Sequence, residues 1–271
     1  MQPLEASHPS SRLAIATRGL TRRFADFVAV DSIDLRVPAG SLYGFLGPNG
    51  AGKSTTIKCL TGLLEPSDGT IEILGRDFGS HEAEVKRRIG VVPEDLALFD
   101  RLTGAENLAF VARVHGLAPE TYRSRADELL DLLELQEAAG SLATDYSHGM
   151  RKKLALAMAL VTSPRLLFLD EPFEGIDAVS SRQIKQFLTA FTRRGGTIFL
   201  TSHVLEIVER LADHVGIIDR GRLVCQAPIA DLRTSGGREV SLEELFLETV
   251  GAGALDEGTE TLGWLGAPSE P

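Results

Sequence analysis

Short unbroken apolar runs alternate along the chain with segments of helical spacing. Leu42-Tyr43-Gly44-Phe45-Leu46, Leu166-Leu167-Phe168-Leu169 and Ile198-Phe199-Leu200 contain no charged position. A strand with one face in water alternates apolar and polar residues. An unbroken run of this length marks a strand buried on both faces, as in a parallel sheet. Ile89-Gly90-Val91-Val92 and Val215-Gly216-Ile217-Ile218 extend the set, and residues 222–224 follow as a closing strand. Helix-compatible segments at 53–63 and 180–194 supply crossovers of the kind parallel strands require. The start of the chain reads differently. Residues 13–37 mix short β-prone runs with a turn, Pro38-Ala39-Gly40 punctuates, and 70–74 adds a β-run closed by Gly75.

From 95 to 163 the strand signal is absent. Thr103 with Glu106 forms a capping box before a helical run that ends near Gly116. Residues 119–135 carry Leu129, Leu130, Leu132, Leu133 and Leu135, a broad apolar helix face. Ser147 is the expected N-cap of a third helix through Leu154, Ala157, Met158 and Val161, stopping at Ser163-Pro164. The pattern therefore predicts an α/β domain over 13–250 with an all-helical insert at about 95–163. Ser241 with Glu244 caps a last helix over 242–249. The polar lead 1–12 is expected to be disordered, and the Gly-, Glu- and Pro-rich 251–271 to be a mobile tail.

Composition narrows the choice of partners. The net charge of −10 over 271 residues argues against a nucleic-acid binder. No apolar run reaches membrane-spanning length, and the first twelve residues lack a signal-peptide core. Cys59 and Cys225 stand far apart and fit no metal spacing, and Cys59 is expected to be buried on the helix after residue 52. These features place the chain in the cytoplasm, held at a membrane only through a partner.

The chemistry centres on Gly47-Pro48-Asn49-Gly50-Ala51-Gly52-Lys53-Ser54-Thr55, between an apolar strand and a helix. The pattern Gly-x-x-x-x-Gly-Lys-Ser is a phosphate-binding loop. Its glycines let backbone N–H groups approach a phosphate, and the helix N-terminus adds positive dipole. Lys53 supplies a point charge for the β/γ-phosphates, and the Ser54 hydroxyl can ligate Mg²⁺. Asp170-Glu171 ends a second apolar strand. Ligands of open parallel sheets bind at carboxyl strand ends, so Asp170 is expected to reach Mg²⁺ and Glu171 to activate a water. His203 ends a third strand, where an imidazole can donate to phosphate or hold the water. Phe24 and Phe27 flank a turn, where one could stack on a base or both could pack in the core.

Tyr146-Ser147-His148-Gly149-Met150-Arg151-Lys152-Lys153 is unusual for a helix start. Gly149 costs about 1 kcal/mol relative to Ala in a first turn. Three cations there oppose the dipole. Both features make sense if this helix end faces an anion.

With these motifs in this order, the chain resembles the nucleotide-binding subunits of ATP-binding cassette (ABC) transporters over residues 13–250. The resemblance implies a P-loop NTPase parallel-sheet core, an N-terminal antiparallel β subdomain and an inserted all-helical subdomain. It implies ATP and Mg²⁺ as ligands and two subunits paired head to tail, as a homodimer or with a homologous ATPase subunit. It also implies a separate transmembrane permease at the inner face of the membrane. Residue by residue, Phe24 matches the adenine-stacking aromatic, 47–55 the Walker A loop and Asp170 the Walker B aspartate. Glu171 matches the catalytic glutamate, Asp177 the D-loop aspartate and His203 the switch histidine. Ser147 and Gly149 belong to the signature that reaches the other subunit's ATP. His148 and Met150 depart from the usual signature, Glu94 replaces a glutamine beside Mg²⁺, and the D-loop reads Glu174-Gly175-Ile176-Asp177. The signature resembles that of bacterial exporters of drugs, antibiotics, lipids or polysaccharides. A soluble ABC ATPase of an assembly complex, such as iron–sulfur biogenesis, is the alternative.

Overall fold

In the computed structural model the unbroken apolar runs are strands, and the described residues are 12–232 and 241–250. The segments expected to be a disordered lead and a mobile tail lie outside them, except Arg12. β1 (Leu13–Phe24), β2 (Phe27–Ile33), β3 (Arg36–Pro38), β4 (Leu42–Leu46) and α1 (Lys53–Leu60) come first. β5 (Asp68–Ile73), β6 (Arg76–Asp77), α2 (Phe78–Lys86) and β7 (Ile89–Val92) follow. Three helices, α3 (Gly104–Val114), α4 (Pro119–Leu132) and α5 (His148–Leu160), then precede β8 (Leu166–Asp170). α6 (Ala178–Arg193), β9 (Thr197–Ser202), α7 (Leu205–Leu211), β10 (His214–Asp219), β11 (Arg222–Pro228), α8 (Ile229–Leu232) and α9 (Leu242–Val250) complete the order.

The main sheet has six strands in the order β11-β10-β4-β9-β8-β7. All its pairs are parallel except β10–β11. β1, β2, β3, β5 and β6 form the smaller sheet, whose pairs are antiparallel. The main sheet is a shared wall between two cores. Leu42, Leu46, Leu167, Leu169, Ile198 and Leu200 face one core with α5, α6 and α7. Tyr43, Phe45, Leu166, Phe168 and Phe199 face the other, with the small sheet and α1. The Phe199 ring lies 5.2 Å from that of Phe45 and 5.6 Å from that of Tyr43. Burial on both faces is the reason these strands carry no polar alternation. Cys59 is buried in the second core.

Several boundaries differ from the sequence expectation. α1 stops at Leu60 rather than 63, because the backbone N–H groups of Leu63 and Leu64 fold back on the Lys58 carbonyl around Gly62. α4 stops at Leu132, where Glu134 takes φ 54° and Leu135 N–H donates to Leu130 O. Leu133 and Leu135 are thereby buried, whereas Leu132 is 55% exposed and is not part of the apolar face. The capping boxes at Thr103/Glu106 and Ser241/Glu244 both form. α2 and α7 had no counterpart in the sequence reading. Among the described residues, no helix is long and apolar enough to cross a membrane.

Candidate nucleotide site

Strand order and register build the site. Leu46 of β4 is level with Ser202 of β9, Thr201 of β9 with Asp170 of β8, and Leu169 of β8 with Val92 of β7. Adjacent strands lie about 4.8 Å apart. The loops starting at Gly47, His203, Glu171 and Pro93 therefore leave the sheet side by side at its carboxyl edge.

The loop from Gly47 to Gly52 admits no side chain at its ends. A Cβ on Gly47 would lie 2.4 Å from Ile218 O, and one on Gly52, at φ 107°, would lie 2.4 Å from Ala29 O. The loop thus folds tightly against β2 and β10, and α1 begins with no side-chain cap and no acidic residue in its first turn. Its N–H groups form a cradle suited to an anion. Lys53 is buried, and its Nζ donates to Gly47 O at 2.8 Å and Pro48 O at 3.3 Å. It also stands 3.5 Å from Glu171 Oε1.

Glu171 is buried and left-handed, at φ 47°. Such a backbone costs on the order of 1–3 kcal/mol for a residue with a side chain. Its Oε2 accepts the His203 backbone N–H at 3.3 Å and lies 3.0 Å from His203 Nδ1. Its Oε1 is buried without a hydrogen-bond partner. The structure thus brings Lys53, Glu171 and His203 together. Glu94 is exposed, and its carboxyl is pushed up by desolvation, then by Asp170, Glu174, Glu171 and Asp95. Phe24 and Phe27 are 41% and 63% exposed, which corrects the core-packing alternative for both. The Arg22 guanidinium lies 4.5 Å from the Phe24 ring centroid. β2, which leaves their turn, passes beside the phosphate loop at Gly52, where an added Cβ would meet Ala29 O.

At the start of α5 the three cations are met by acceptors inside the chain. Ser147 is the N-cap, accepting from Met150 N–H at 3.2 Å. Arg151 donates to Asp100 at 2.7 Å and Ala143 O at 2.9 Å. Lys153 is buried and donates to Leu133 O at 3.0 Å, at the carboxyl end of α4. Lys152 is buried and donates to Glu171 O at 2.8 Å and Glu174 O at 2.6 Å. Burial pushes the Lys152 ammonium down, against the neighbouring carboxylates Glu174, Glu171 and Glu94. The three cations are held by acceptors within the chain. Gly149 also has an internal reason: a Cβ there would lie 2.8 Å from Ser180 Oγ and 3.1 Å from Asp177 Oδ2. Asp177 caps α6, accepting from Val179 N–H and Ser180 N–H at 2.9 Å.

A model of the ABC transporter family matches residues 30–174, more than half of the chain. This chain belongs to that family. It is 42% identical over 227 residues to the daunorubicin/doxorubicin resistance ATP-binding protein DrrA of Streptomyces peucetius, covering 84% of this chain and 69% of that one. It is 39% identical over 220 residues to the bacitracin transport ATP-binding protein BcrA of Bacillus licheniformis, covering 81% and 71%. The solved structure of an ATP-binding subunit of an ABC transporter aligns with a TM-score of 0.81 at 30% identity, over 87% of this chain and 99% of that chain. The protein is the ATP-binding and ATP-hydrolysing subunit of an ABC exporter, and it energises transport through a partner membrane subunit.

The sequence expectation for Mg²⁺ names the Ser54 hydroxyl and the carboxylates of Asp170 and Glu94. All are hard oxygens, which suit that cation. Among the described residues, no three His, Cys, Asp or Glu side chains stand together as a metal cage. Two residues take contacts that the sequence does not announce. The Thr201 hydroxyl donates to Asp170 Oδ1 and accepts the Glu171 backbone N–H at 3.0 Å, so one side chain fixes both neighbours. Its register opposite Asp170 was the available signal. Lys152 was the other, and only its burial reveals it.

Proposed function

We propose that residues 47–55 hold the ATP phosphates, Phe24 stacks on the base, Glu171 is the general base and His203 orients it. The observation that supports this is the buried Lys53–Glu171 pair, with the exposed His203 imidazole 3.0 Å from Glu171 Oε2, at three adjacent strand ends. Lys53 Nζ supplies charge to the phosphate oxygens, while Glu171 takes a proton from the attacking water through its carboxylate. Asp170, Ser54 and Glu94 are the candidates to hold Mg²⁺, which when bound offsets phosphate charge. Ser147, Gly149 and Asp177 are assigned to the contact with the second subunit's nucleotide.

The domain is assigned to 13–250, with the helical insert at about 95–163. The subunit works as a pair at the inner face of the membrane, docked on its permease. Likeness to DrrA and BcrA supports an antibiotic-class cargo, bound by the permease. The test is Mg-ATP turnover of Glu171→Gln beside nucleotide affinity. Retained binding with lost hydrolysis is expected; unchanged turnover removes Glu171 from the role.

A further inference from the structure

Lys152 and Lys153 are successive buried lysines on α5 with different surroundings. A buried ammonium is costly unless its donors are met, so each needs a reason. For Lys153 the reason is local: its Nζ meets Leu133 O, a carbonyl left over where α4 ends. Lys152 reaches out of the helical layer. Its Nζ meets the carbonyls of Glu171 and Glu174, in the loop after β8. Glu171 N–H is already taken by the Thr201 hydroxyl. Both backbone groups of this residue are therefore held, one from each side, and φ is 47°. A left-handed Glu persists only where its surroundings over-determine it.

We propose that Lys152 is a positioning residue for ATP hydrolysis: by gripping the Glu171 carbonyl from α5, it keeps that backbone left-handed and the carboxylate between Lys53 and His203. This rests on the reading of Glu171 as the base. The same grip ties the orientation of the loop at 171–174 to α5. His148, whose ring would lie 3.3 Å from a Cβ on Gly175, packs against the same loop.

The experiment is steady-state Mg-ATP turnover of the full-length chain, with kcat and KM read separately. Lys152→Met keeps the stem and removes the donors. Its kcat should fall on the order of tenfold to a hundredfold, as expected for a misplaced reacting group. Its KM should stay within about twofold. Lys152→Arg should restore most of kcat. Lys153→Met is the control: it should cost stability and leave kcat unchanged. In a Glu171→Gln background, Lys152→Met should cause no further loss.

A Lys152→Met kcat within about twofold of wild type overturns the proposal. So does an equal loss in Lys153→Met, or a full additional loss in the Glu171→Gln background. Should Lys152→Met fail to fold, Lys152→Gln, uncharged and one bond too short to reach both carbonyls, and Lys152→Arg carry the test. Equal kcat for Gln, Arg and wild type then overturns it. If Glu171→Gln itself turns over normally, the assignment of the base falls and the proposal falls with it. If Glu171→Gln is inactive while the Lys152 variants are silent, the proposal alone falls.

Discussion

At the N-terminus of α1 no side chain caps the first turn, and the preceding loop is pressed so tightly between β2 and β10 that Gly47 and Gly52 admit no Cβ. At the N-terminus of α5 Ser147 supplies the cap, and the cations that follow each meet an acceptor inside the chain. The first end is left with its dipole and N–H groups directed at something from outside. The cations of the second also brace the helical layer against the loop after β8. Positive residues at a helix start thus say little about an anion until their acceptors are known, whereas an uncapped start behind a glycine cradle says a good deal.

The sharpest break of this comparison is made at the residue both ends converge on. Glu171→Gln should lower hydrolysis by on the order of 10²–10⁴-fold, the usual worth of a general base. ATP binding should persist, and light scattering should show dimer accumulating with Mg-ATP. Wild-type turnover in that variant would place the base elsewhere.

Next comes the cradle itself. Lys53→Ala removes the one side-chain cation of the loop and its ties to Gly47 O and Pro48 O. Nucleotide affinity, read by titration, should fall by on the order of tenfold or more. Undiminished affinity would mean that the loop's backbone alone holds the phosphates.

Gly149→Ala tests the brace. The added methyl meets Ser180 Oγ at 2.8 Å; overpacking of this kind costs about 1–3 kcal/mol, of which about 1 kcal/mol is offset by the better helix propensity of Ala. Calorimetry should show a lower melting temperature, with ATP affinity at the α1 loop unchanged. An unaltered melting temperature would count against the brace.

The smallest effect is at Asp177. Hydrogen bonds from the Ser180 hydroxyl and N–H hold its carboxyl below the ordinary value of 3.8. A group depressed on folding binds fewer protons in the native state. Its stabilisation is present above about 3.8 and is lost as pH falls through the lower native value. Asp177→Asn should therefore flatten the acid arm of a melting-temperature profile between pH 6 and 2 and leave the neutral region nearly unchanged. An identical acid arm would show that the cap contributes nothing to pH dependence.

Legibility in the sequence followed burial. β4, β7, β8 and β9 were readable because both of their faces are covered, so their hydrophobic runs are continuous. The two capping boxes were readable because three-residue spacing is a local rule. The phosphate loop, Asp170-Glu171 and His203 were readable as strand ends, since a parallel sheet gathers such ends at one edge. The end of α4 was not readable, because a left-handed Glu134 closes it where glycine is the usual signal. The contacts of Lys152 are not legible, because nothing in a run of basic residues tells which one turns inward. The Thr201 contact needed the β8–β9 register, which is a property of pairing and not of either strand alone.

The shared wall sets how this molecule fails under heat. Phe168 and Leu169 are neighbours in the chain yet belong to opposite cores. Stripping either layer from the main sheet exposes apolar side chains on the strands that end at Leu46, Asp170 and Ser202. Either loss uncovers strands that carry Gly47, Glu171 and His203 at their ends, so ATPase should fall with whichever layer melts first. Heat would therefore silence the subunit before the whole chain has unfolded, and leave apolar strands open to aggregation.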